Sequence, residues 1–221
     1  MSYELRCKTT PRPSFHSEQL LFSQRVRPVA GVDEAGRGPL AGPVIAAAVI
    51  LPEKFSVSQF PFFERLNDSK KLSARIREEL FLHITTHPDI AWAIGEGSVQ
   101  EIGDINILRA TGLAMRRALE ALNPRPAHAL IDGLPMREIP MPQTALIGGD
   151  GLSLSIAAAS VVAKVTRDRI MEELDRAFPQ YGFARHRGYG TAHHLAMLHE
   201  HGPCQHHRRG FAPVDQATFR F

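Results

Sequence analysis

Residues 28–51 have the sequence PVAGVDEAGRGPLAGPVIAAAVIL, and this stretch decides the fold class. Two runs of small and β-branched residues flank a glycine-rich segment, which predicts strands at Val29–Asp33 and Val44–Leu51. The segment between them, Gly36–Pro39, has the glycines and proline of a loop. The first strand therefore ends in an acidic pair, Asp33-Glu34, directly before a flexible backbone.

Outward from this stretch, short apolar runs alternate with longer segments of helical periodicity, which favours an α/β fold. Further strands are predicted at Ile90–Gly95, His128–Asp132 and Thr144–Ile147. Helices are predicted from an N-cap at Ser73 to about Thr85, from an N-cap at Asp104 to Leu122, over Ser155–Phe178 and over Thr191–His201. We expect a flexible tail over residues 1–27, a core over 28–178, and a C-terminal segment with its tail over 179–221.

The composition is that of a globular chain: 221 residues, 43% hydrophobic and 22% charged. This excludes a collagen-like or wholly disordered chain. The longest apolar run, Pro39–Leu51, is 13 residues, shorter than the roughly 20 needed to cross a bilayer. The two cysteines, Cys7 and Cys204, cannot build a disulfide framework, and no signal-peptide pattern is present, so we expect a cytoplasmic protein without a membrane partner.

Positive charge is concentrated near the end of the chain. The formal net charge is only +3, but residues 185–209 hold four arginines and seven of the eleven histidines, against the single carboxylate of Glu200. Such a segment suits a negatively charged partner, although a solvated surface would have the same composition.

Carboxylates follow three of the predicted strands: Asp33-Glu34, Asp132 and Asp150, each close to glycine. An Asp-Gly turn would explain either of the last two alone. Burying an acid at the end of an apolar strand is costly, and ends of parallel strands converge at one sheet edge. Clustered carboxylates repel one another and suit a hard divalent cation, so we expect two Mn²⁺ or Mg²⁺ ions here and hydrolysis of a phosphodiester.

At this point a family resemblance is apparent. The stretch VAGVDEAGRGPLAG at residues 29–42 resembles the opening signature of bacterial ribonuclease HII, a type 2 ribonuclease H. The resemblance continues through LNDSKKL at 66–72, NIL at 106–108, LIDG at 130–133, GD at 149–150, SIAAAS at 155–160, AKVTRD at 163–168, YGF at 181–183, GY at 188–189 and HRR at 207–209.

The resemblance implies a ribonuclease-H-like fold with a mixed five-stranded sheet flanked by helices and a C-terminal helical segment. It also implies a metal-dependent endonuclease that cuts the RNA strand of RNA/DNA hybrids. Such an enzyme nicks 5′ of single ribonucleotides in duplex DNA, leaving 5′-phosphate and 3′-hydroxyl ends, as in ribonucleotide excision repair and primer removal. The catalytic region would be 28–178, and 179–221 would help to bind substrate.

The resemblance also assigns roles to residues. The catalytic, metal-binding acids would be Asp33, Glu34, Asp132 and Asp150. The Gly36-Arg37-Gly38 motif would sense the ribose 2′-hydroxyl, and Tyr189 would stack beneath the following sugar. Further substrate contacts are expected at Asn67, Ser69, Lys70, Asn106, Ser160 and Lys164. For Tyr189 and Lys164 alternatives remain, respectively a partly buried tyrosine and an i,i+4 ion pair with Asp168.

Two positions depart from the family pattern. Gly148 stands where many relatives carry lysine, and Gly210 where serine is frequent. We expect these departures to affect substrate affinity more than catalysis.

Two other functions are compatible with parts of the sequence. The C-terminal histidines could form a zinc site, but no His-Glu-x-x-His or Cys-x-x-Cys motif accompanies them. A noncatalytic nucleic-acid binder would need only the basic segment, without three acidic sites. A monomer is the default expectation, and residues 215–221 contain one glutamine and two phenylalanines without a complete sliding-clamp motif.

Overall fold

The computed structural model describes residues 12–55, 60–67 and 69–218. Cys7, Asp68 and the final residues 219–221 therefore lie outside the described part of the chain. Within that part, no helix is long and apolar enough to cross a membrane.

Five strands form one mixed sheet: β1 (Val29–Ala35), β2 (Val44–Ile50), β3 (Ala91–Gly97), β4 (His128–Asp132) and β5 (Gln143–Leu146). Their order across the sheet is β3-β2-β1-β4-β5. β1, β2 and β3 are antiparallel neighbours, whereas β4 and β5 run parallel to β1. The predicted mixed five-stranded architecture is confirmed, and β1, β4 and β5 end at the same edge.

The helices are α1 (His16–Ser23), α2 (Ala74–Thr86), α3 (Val99–Ala121), α4 (Leu154–Ala177), α5 (Phe183–His186), α6 (Ala192–His201) and α7 (Ala212–Thr218). Helices α2 and α4 pack on one face of the sheet, in a core that includes Val49, Leu80 and Val161. Helix α3 covers the other face, where Met115 and Leu119 meet Val32 and Ile131. The sheet is thus enclosed between two helical layers, and α5 to α7 form the expected C-terminal helical segment.

Helix α4 crosses β1 at a glycine. A Cβ at Gly31 would lie 2.2 Å from the carbonyl carbon of Ser155 and 2.3 Å from the nitrogen of Ile156, so a side chain there would push the helix away. Alternate strand residues share a face, so Asp33 also points toward α4. Ser160 lies about one helical turn beyond Ile156, which brings it to Asp33.

The predicted start of α3 is wrong. Asp104 lies inside the helix, and the N-cap is Ser98, whose hydroxyl accepts from the N–H of Glu101 while the Glu101 side chain accepts from the N–H of Ser98. This reciprocal capping box satisfies the N–H groups of Ser98 and Glu101 at once, and it places the N-cap six residues before Asp104.

The expected N-terminal tail also differs in its second half. Residues 16–23 form α1, and Glu18 is buried. Its Oε1 accepts from the Ser153 hydroxyl (2.6 Å) and from the N–H of Ser155 (3.0 Å). These bonds anchor α1 to the first turn of α4, so the chain is packed against the core well before residue 28.

Candidate active site

Asp33 lies near the end of β1 and is only 5% exposed. Burial raises its pKa well above the usual range, and the charges of Glu34 and Asp132 raise it further. A hydrogen bond from Ser160 and one from the N–H of Glu34 (2.7 Å) act in the opposite direction. The protein therefore holds a carboxylate where negative charge is costly, with two donors that favour the ionised form.

Glu34 is the second acid of the site. Burial raises its pKa, and Asp132 contributes in the same direction. The positive charges of Arg37 and Lys70 lower it, and Arg37 Nη1 lies 3.4 Å from Glu34 Oε1. The charge of Asp132 thus raises the pKa values of both strand-end acids, and Arg37 opposes the shift at Glu34.

Asp132 ends β4, which pairs with β1 in parallel register through Ile131 and Val32. Its Oδ1 accepts a 2.6 Å hydrogen bond from the N–H of Gly149, the residue before Asp150. A Cβ at Gly149 would lie 2.7 Å from Ile156 Cδ1 and 3.2 Å from Leu146 Cβ, so a larger residue would require these side chains to shift. Asp150 follows in the 3₁₀ turn Gly149–Gly151, which joins its loop directly to Asp132.

The structure thus brings Asp33, Glu34 and Asp132 into electrostatic contact and places Asp150 on the loop bonded to Asp132. Over residues 12–55, 60–67 and 69–218, no three His, Cys, Asp or Glu side chains are gathered into a ready-made metal cluster. The donor chemistry nevertheless fits a hard divalent cation, because these are oxygen ligands and a cation would relieve the repulsion that raises the pKa values of Asp33 and Glu34.

The zinc alternative is not supported by the described histidines. His194 Nε2 and His207 Nε2 are hydrogen-bonded to each other at 3.0 Å. Among the described residues, which include these histidines, no three His, Cys, Asp or Glu side chains are grouped so that they could hold a metal ion. His194 and His207 therefore act as packed, hydrogen-bonded groups, whereas His193, His199 and His201 are exposed.

The Gly36–Gly38 loop follows β1 and faces Tyr189. Gly36 has φ +102°, and a Cβ there would lie 2.1 Å from Arg167 Nε. A Cβ at Gly38 would lie 3.4 Å from Tyr189 Cε1. Tyr189 is 47% exposed, so part of its ring is open to solvent beside the loop. This exposure fits the partly buried tyrosine of the alternative interpretation as well as a stacking surface, and its role toward substrate stays a prediction.

Several expected substrate contacts lie near Asp33. Ser160 Oγ is hydrogen-bonded to Ser69 Oγ at 2.8 Å, and both serines are buried. Lys70 is exposed and acts electrostatically on Glu34, while Asn67, three residues earlier, is half-buried. A short polar segment thus leads from the surface to Asp33.

Lys164 and Asn106 have local partners. Lys164 Nζ lies 2.6 Å from Asp168 Oδ1, so the ion pair of the alternative interpretation is formed. Asn106 has φ +67° inside α3, and its Oδ1 accepts from the N–H groups of Leu108 (3.0 Å) and Arg109 (3.2 Å). It caps the second part of the helix, and its role toward substrate stays a prediction.

Two buried arginines behind the loop were not anticipated from the sequence. Arg167 donates to the carbonyls of Pro43, Ala41 and Arg187, each at 3.0 Å. Arg208 donates to carbonyls of the same loop. Both lie within motifs of the family resemblance, but in a basic segment an arginine is more readily interpreted as a phosphate contact.

Comparisons with known proteins agree with this geometry. The family model described as "Ribonuclease HII" matches residues 30–214. A ribonuclease HII of Burkholderia thailandensis is 55% identical over 190 residues, covering 86% of this chain and 85% of that protein. Ribonuclease H2 from Pyrococcus horikoshii matches with a TM-score of 0.70 and 25% identity, covering 87% of this chain and 97% of that one.

A second solved structure, the PCNA:RNase HII complex from Archaeoglobus fulgidus, matches with a TM-score of 0.67 and 25% identity. It covers 83% of this chain and 94% of that one. The fold and the family resemblance are therefore supported by sequence and by structure independently.

Proposed function

Because the chain belongs to the ribonuclease HII family, and is therefore a ribonuclease H hydrolase, we propose its full activity as follows. It hydrolyses the RNA strand of RNA/DNA hybrids and nicks duplex DNA on the 5′ side of a single embedded ribonucleotide. The products carry 5′-phosphate and 3′-hydroxyl ends. This activity would serve the removal of ribonucleotides from DNA and of RNA primers.

The observation that carries the proposal is the convergence of acids beside the glycine loop. Asp33 and Asp132 come from neighbouring parallel strands, and the charge of Asp132 adds to burial in raising the pKa values of Asp33 and Glu34. The Gly36–Gly38 backbone follows on the same strand. Acids for phosphate chemistry and a backbone surface for sugar recognition therefore adjoin one another.

We propose that Asp33, Glu34, Asp132 and Asp150 hold two divalent ions, Mn²⁺ or Mg²⁺. When bound, such ions stabilise charge on a reacting phosphate and lower the pKa of water. The chain's own contribution is to oppose the protonation of Asp33 with the donors at Ser160 and at the N–H of Glu34, although burial still leaves its pKa raised. Arg37 opposes the raised pKa of Glu34 in the same way, and bound cations would complete the ionisation of both acids.

Ribose recognition is proposed for the Gly36-Arg37-Gly38 backbone together with Tyr189. The 2′-hydroxyl is the group that separates RNA from DNA, and it both donates and accepts hydrogen bonds. The glycines leave the loop backbone uncovered, and Tyr189 presents an open ring next to Gly38. A sugar stacked on the Tyr189 ring would lie next to the Gly36–Gly38 loop, which would contact the 2′-hydroxyl of the preceding ribonucleotide.

Phosphate contacts are proposed at Asn67, Ser69, Lys70, Asn106, Ser160 and Lys164. Hydroxyl, amide and ammonium groups position a duplex without reading its sequence. Burial lowers the pKa of Lys164, and its ion pair with Asp168 opposes that shift. A phosphate would have to compete with Asp168 for the Lys164 ammonium. Of the proposed phosphate contacts, Lys164 is therefore expected to contribute least to the affinity for the duplex.

The test compares three labelled duplexes: one with a single ribonucleotide, one RNA/DNA hybrid and one of DNA alone. Each is incubated with Mn²⁺, Mg²⁺ or EDTA, and both binding and cleavage are measured. We expect metal-dependent nicks 5′ of the single ribonucleotide and cuts throughout the RNA strand. Cleavage of the hybrid alone would restrict the activity to consecutive ribonucleotides, and metal-independent binding without cleavage would favour a noncatalytic binder.

We further propose a cytoplasmic monomer whose substrate is ribonucleotide-containing duplex. A sliding-clamp partner is proposed from the archaeal relative that was solved as a complex with PCNA. In this chain the C-terminal helix α7 ends at Thr218, and the two phenylalanines that follow lie outside the described residues. Co-elution of the protein with its own organism's clamp, lost on truncation after Thr218, would support that partner.

A further inference from the structure

Arg208 is a fully buried arginine of the C-terminal segment, and its guanidinium is hydrogen-bonded to the loop that follows β1. Its exposed fraction is 0%. Its Nη2 donates to the carbonyl of Gly36 (2.6 Å) and its Nη1 to the carbonyl of Arg37 (3.1 Å). Further bonds go to the carbonyls of Pro39 (2.8 Å), Gly42 (2.8 Å) and Pro43 (3.1 Å).

The positive charge of Arg208 is surrounded by main-chain carbonyl dipoles, and the hydrogen bonds described for it include none to a carboxylate. The five hydrogen bonds described for the guanidinium all end on main-chain carbonyls. Burial, together with the charge of Arg167, lowers the pKa of Arg208 to about 9. Burying a charge in this way is unfavourable unless its donors are satisfied, and the planar fork of arginine satisfies them at several points of one loop.

The C-terminal segment is tied to the loop by the main chain as well. The N–H of Arg208 donates to the carbonyl of Leu40 (2.8 Å), and the N–H of Leu40 donates to the carbonyl of Gly188 (2.8 Å). The loop therefore lies between the segment of Arg208 and the segment of Tyr189. The guanidinium is held in register with the carbonyls that it contacts.

The direction of these carbonyls decides the direction of the neighbouring N–H groups. In a planar trans peptide the C=O and the N–H point to opposite sides. With the carbonyls of Gly36 and Arg37 turned inward to Arg208, the N–H groups of Arg37 and Gly38 point away from it. Both of these residues are exposed, so their donors face the side on which Tyr189 lies open.

We propose that Arg208 is a positioning residue that sets ribose discrimination by fixing the peptide orientation of Gly36–Gly38. It touches neither the reacting phosphate nor the strand-end acids; it acts through the loop. The inference rests on the proposed function, because it names what orients the ribose-sensing backbone of that same site.

The test compares Arg208→Lys with Arg167→Lys as a matched control. Both arginines are buried and both donate to the carbonyl of Pro43, but the described donors of Arg167 end on Pro43, Ala41 and Arg187. Lysine keeps the charge in each variant but cannot span several carbonyls. Cleavage is measured on a duplex with one ribonucleotide and on the same duplex with a 2′-fluoro nucleotide at that position.

We expect Arg208→Lys to reduce the ratio of kcat/KM for the ribonucleotide to kcat/KM for the 2′-fluoro analogue by about tenfold, the value of one hydrogen bond to the hydroxyl. The Mn²⁺ concentration for half-maximal rate should stay unchanged, because the acids are not contacted. Arg167→Lys should lower Tm to a similar extent and keep the wild-type ratio. An unchanged ratio in a folded Arg208→Lys protein, or an equal loss in both variants, would overturn the proposal.

A measurement that leaves Arg208 in place covers the case in which Arg208→Lys does not fold. Amide hydrogen exchange at Arg37 and Gly38 is followed in Asp33→Asn protein, which should bind substrate without cutting it, with Mg²⁺ and either the ribonucleotide duplex or the all-DNA duplex bound. We expect slower exchange by at least about tenfold with the ribonucleotide duplex only; equal exchange in the two complexes would refute the outward orientation. Failure of the wild-type protein to cleave the ribonucleotide duplex would instead refute the proposed function.

Discussion

Acidification is expected to destabilise the fold through two buried histidines, His194 and His207. The N–H of Cys204 donates to His207 Nδ1 (2.9 Å), so the proton of neutral His207 is on Nε2 and points to His194 Nε2 at 3.0 Å. The remaining proton of His194, on Nδ1, points to the carbonyl of Tyr189 at 2.9 Å. This chain of three hydrogen bonds requires both rings to be neutral, because a second proton on either ring would oppose an N–H.

Burial lowers the pKa of each ring from 6.5 to about 4. At pH 5 the unfolded chain therefore binds protons that the folded chain excludes. The stability that depends on neutral rings is present above pH 6.5 and is lost as pH falls toward 4. Between pH 7 and pH 5 the expected loss is about 2 kcal/mol for each histidine, or roughly 4 kcal/mol for the two if they titrate independently.

The assay is urea unfolding at pH 7, 6 and 5, for the wild-type protein and for His207→Gln. Asp33 and Glu34 have raised pKa values and favour the folded state on acidification, so the comparison of the two proteins isolates the histidine. We expect the wild-type protein to lose about 2 kcal/mol more than the variant over this range. Parallel losses would refute the reasoning, as would an imidazole NMR titration of folded wild-type protein with either ring titrating near pH 6.5.

Three further predictions concern the loop and the acids. Gly36→Ala should destabilise the fold by about 3 kcal/mol in urea unfolding, since its φ is +102° and the Cβ would lie 2.1 Å from Arg167 Nε; a loss below about 1 kcal/mol would contradict this. Ser160→Ala removes a hydrogen bond that lowers the pKa of Asp33, so the acidic limb of the pH–rate profile should move to higher pH; an unmoved limb would disprove the coupling. Tyr189→Ala should reduce kcat/KM for the single-ribonucleotide duplex about tenfold while Tyr189→Phe stays near wild type, whereas equal losses would assign the effect to the hydroxyl.

The meeting of acids at one edge of the sheet could be anticipated because an acid that follows an apolar strand is a local signal. Asp33 and Asp132 each follow an apolar run, and the expectation that such ends converge is confirmed by the parallel pairing of β1 with β4. The start of α3 has an equally local signal, the Ser98–Glu101 capping box, which the expectation of an N-cap at Asp104 does not take into account. The positive φ of Asn106 has only a weak signal, since asparagine is enriched among non-glycine residues at positive φ but such residues are uncommon.

The contacts that organise the loop could not be obtained from the sequence. Arg208 is 172 positions from Gly36, and nothing in a basic segment distinguishes an arginine that binds carbonyls from one that binds phosphate. Glu18 was likewise placed in a tail, because its partners Ser153 and Ser155 are more than a hundred residues away. In both cases a charged side chain is buried by long-range packing, which composition and periodicity do not record.

The most direct test of the proposed catalytic role is single-turnover cleavage of a duplex with one ribonucleotide by the wild-type protein and by Asp33→Asn. The substitution removes a buried charge whose pKa is already raised, so Tm should not fall. We expect the wild-type protein to nick 5′ of the ribonucleotide only with Mn²⁺ or Mg²⁺, and Asp33→Asn to be slower by about a thousandfold or more. A folded Asp33→Asn protein with a near-wild-type rate, or wild-type cleavage that persists in EDTA, would contradict the account.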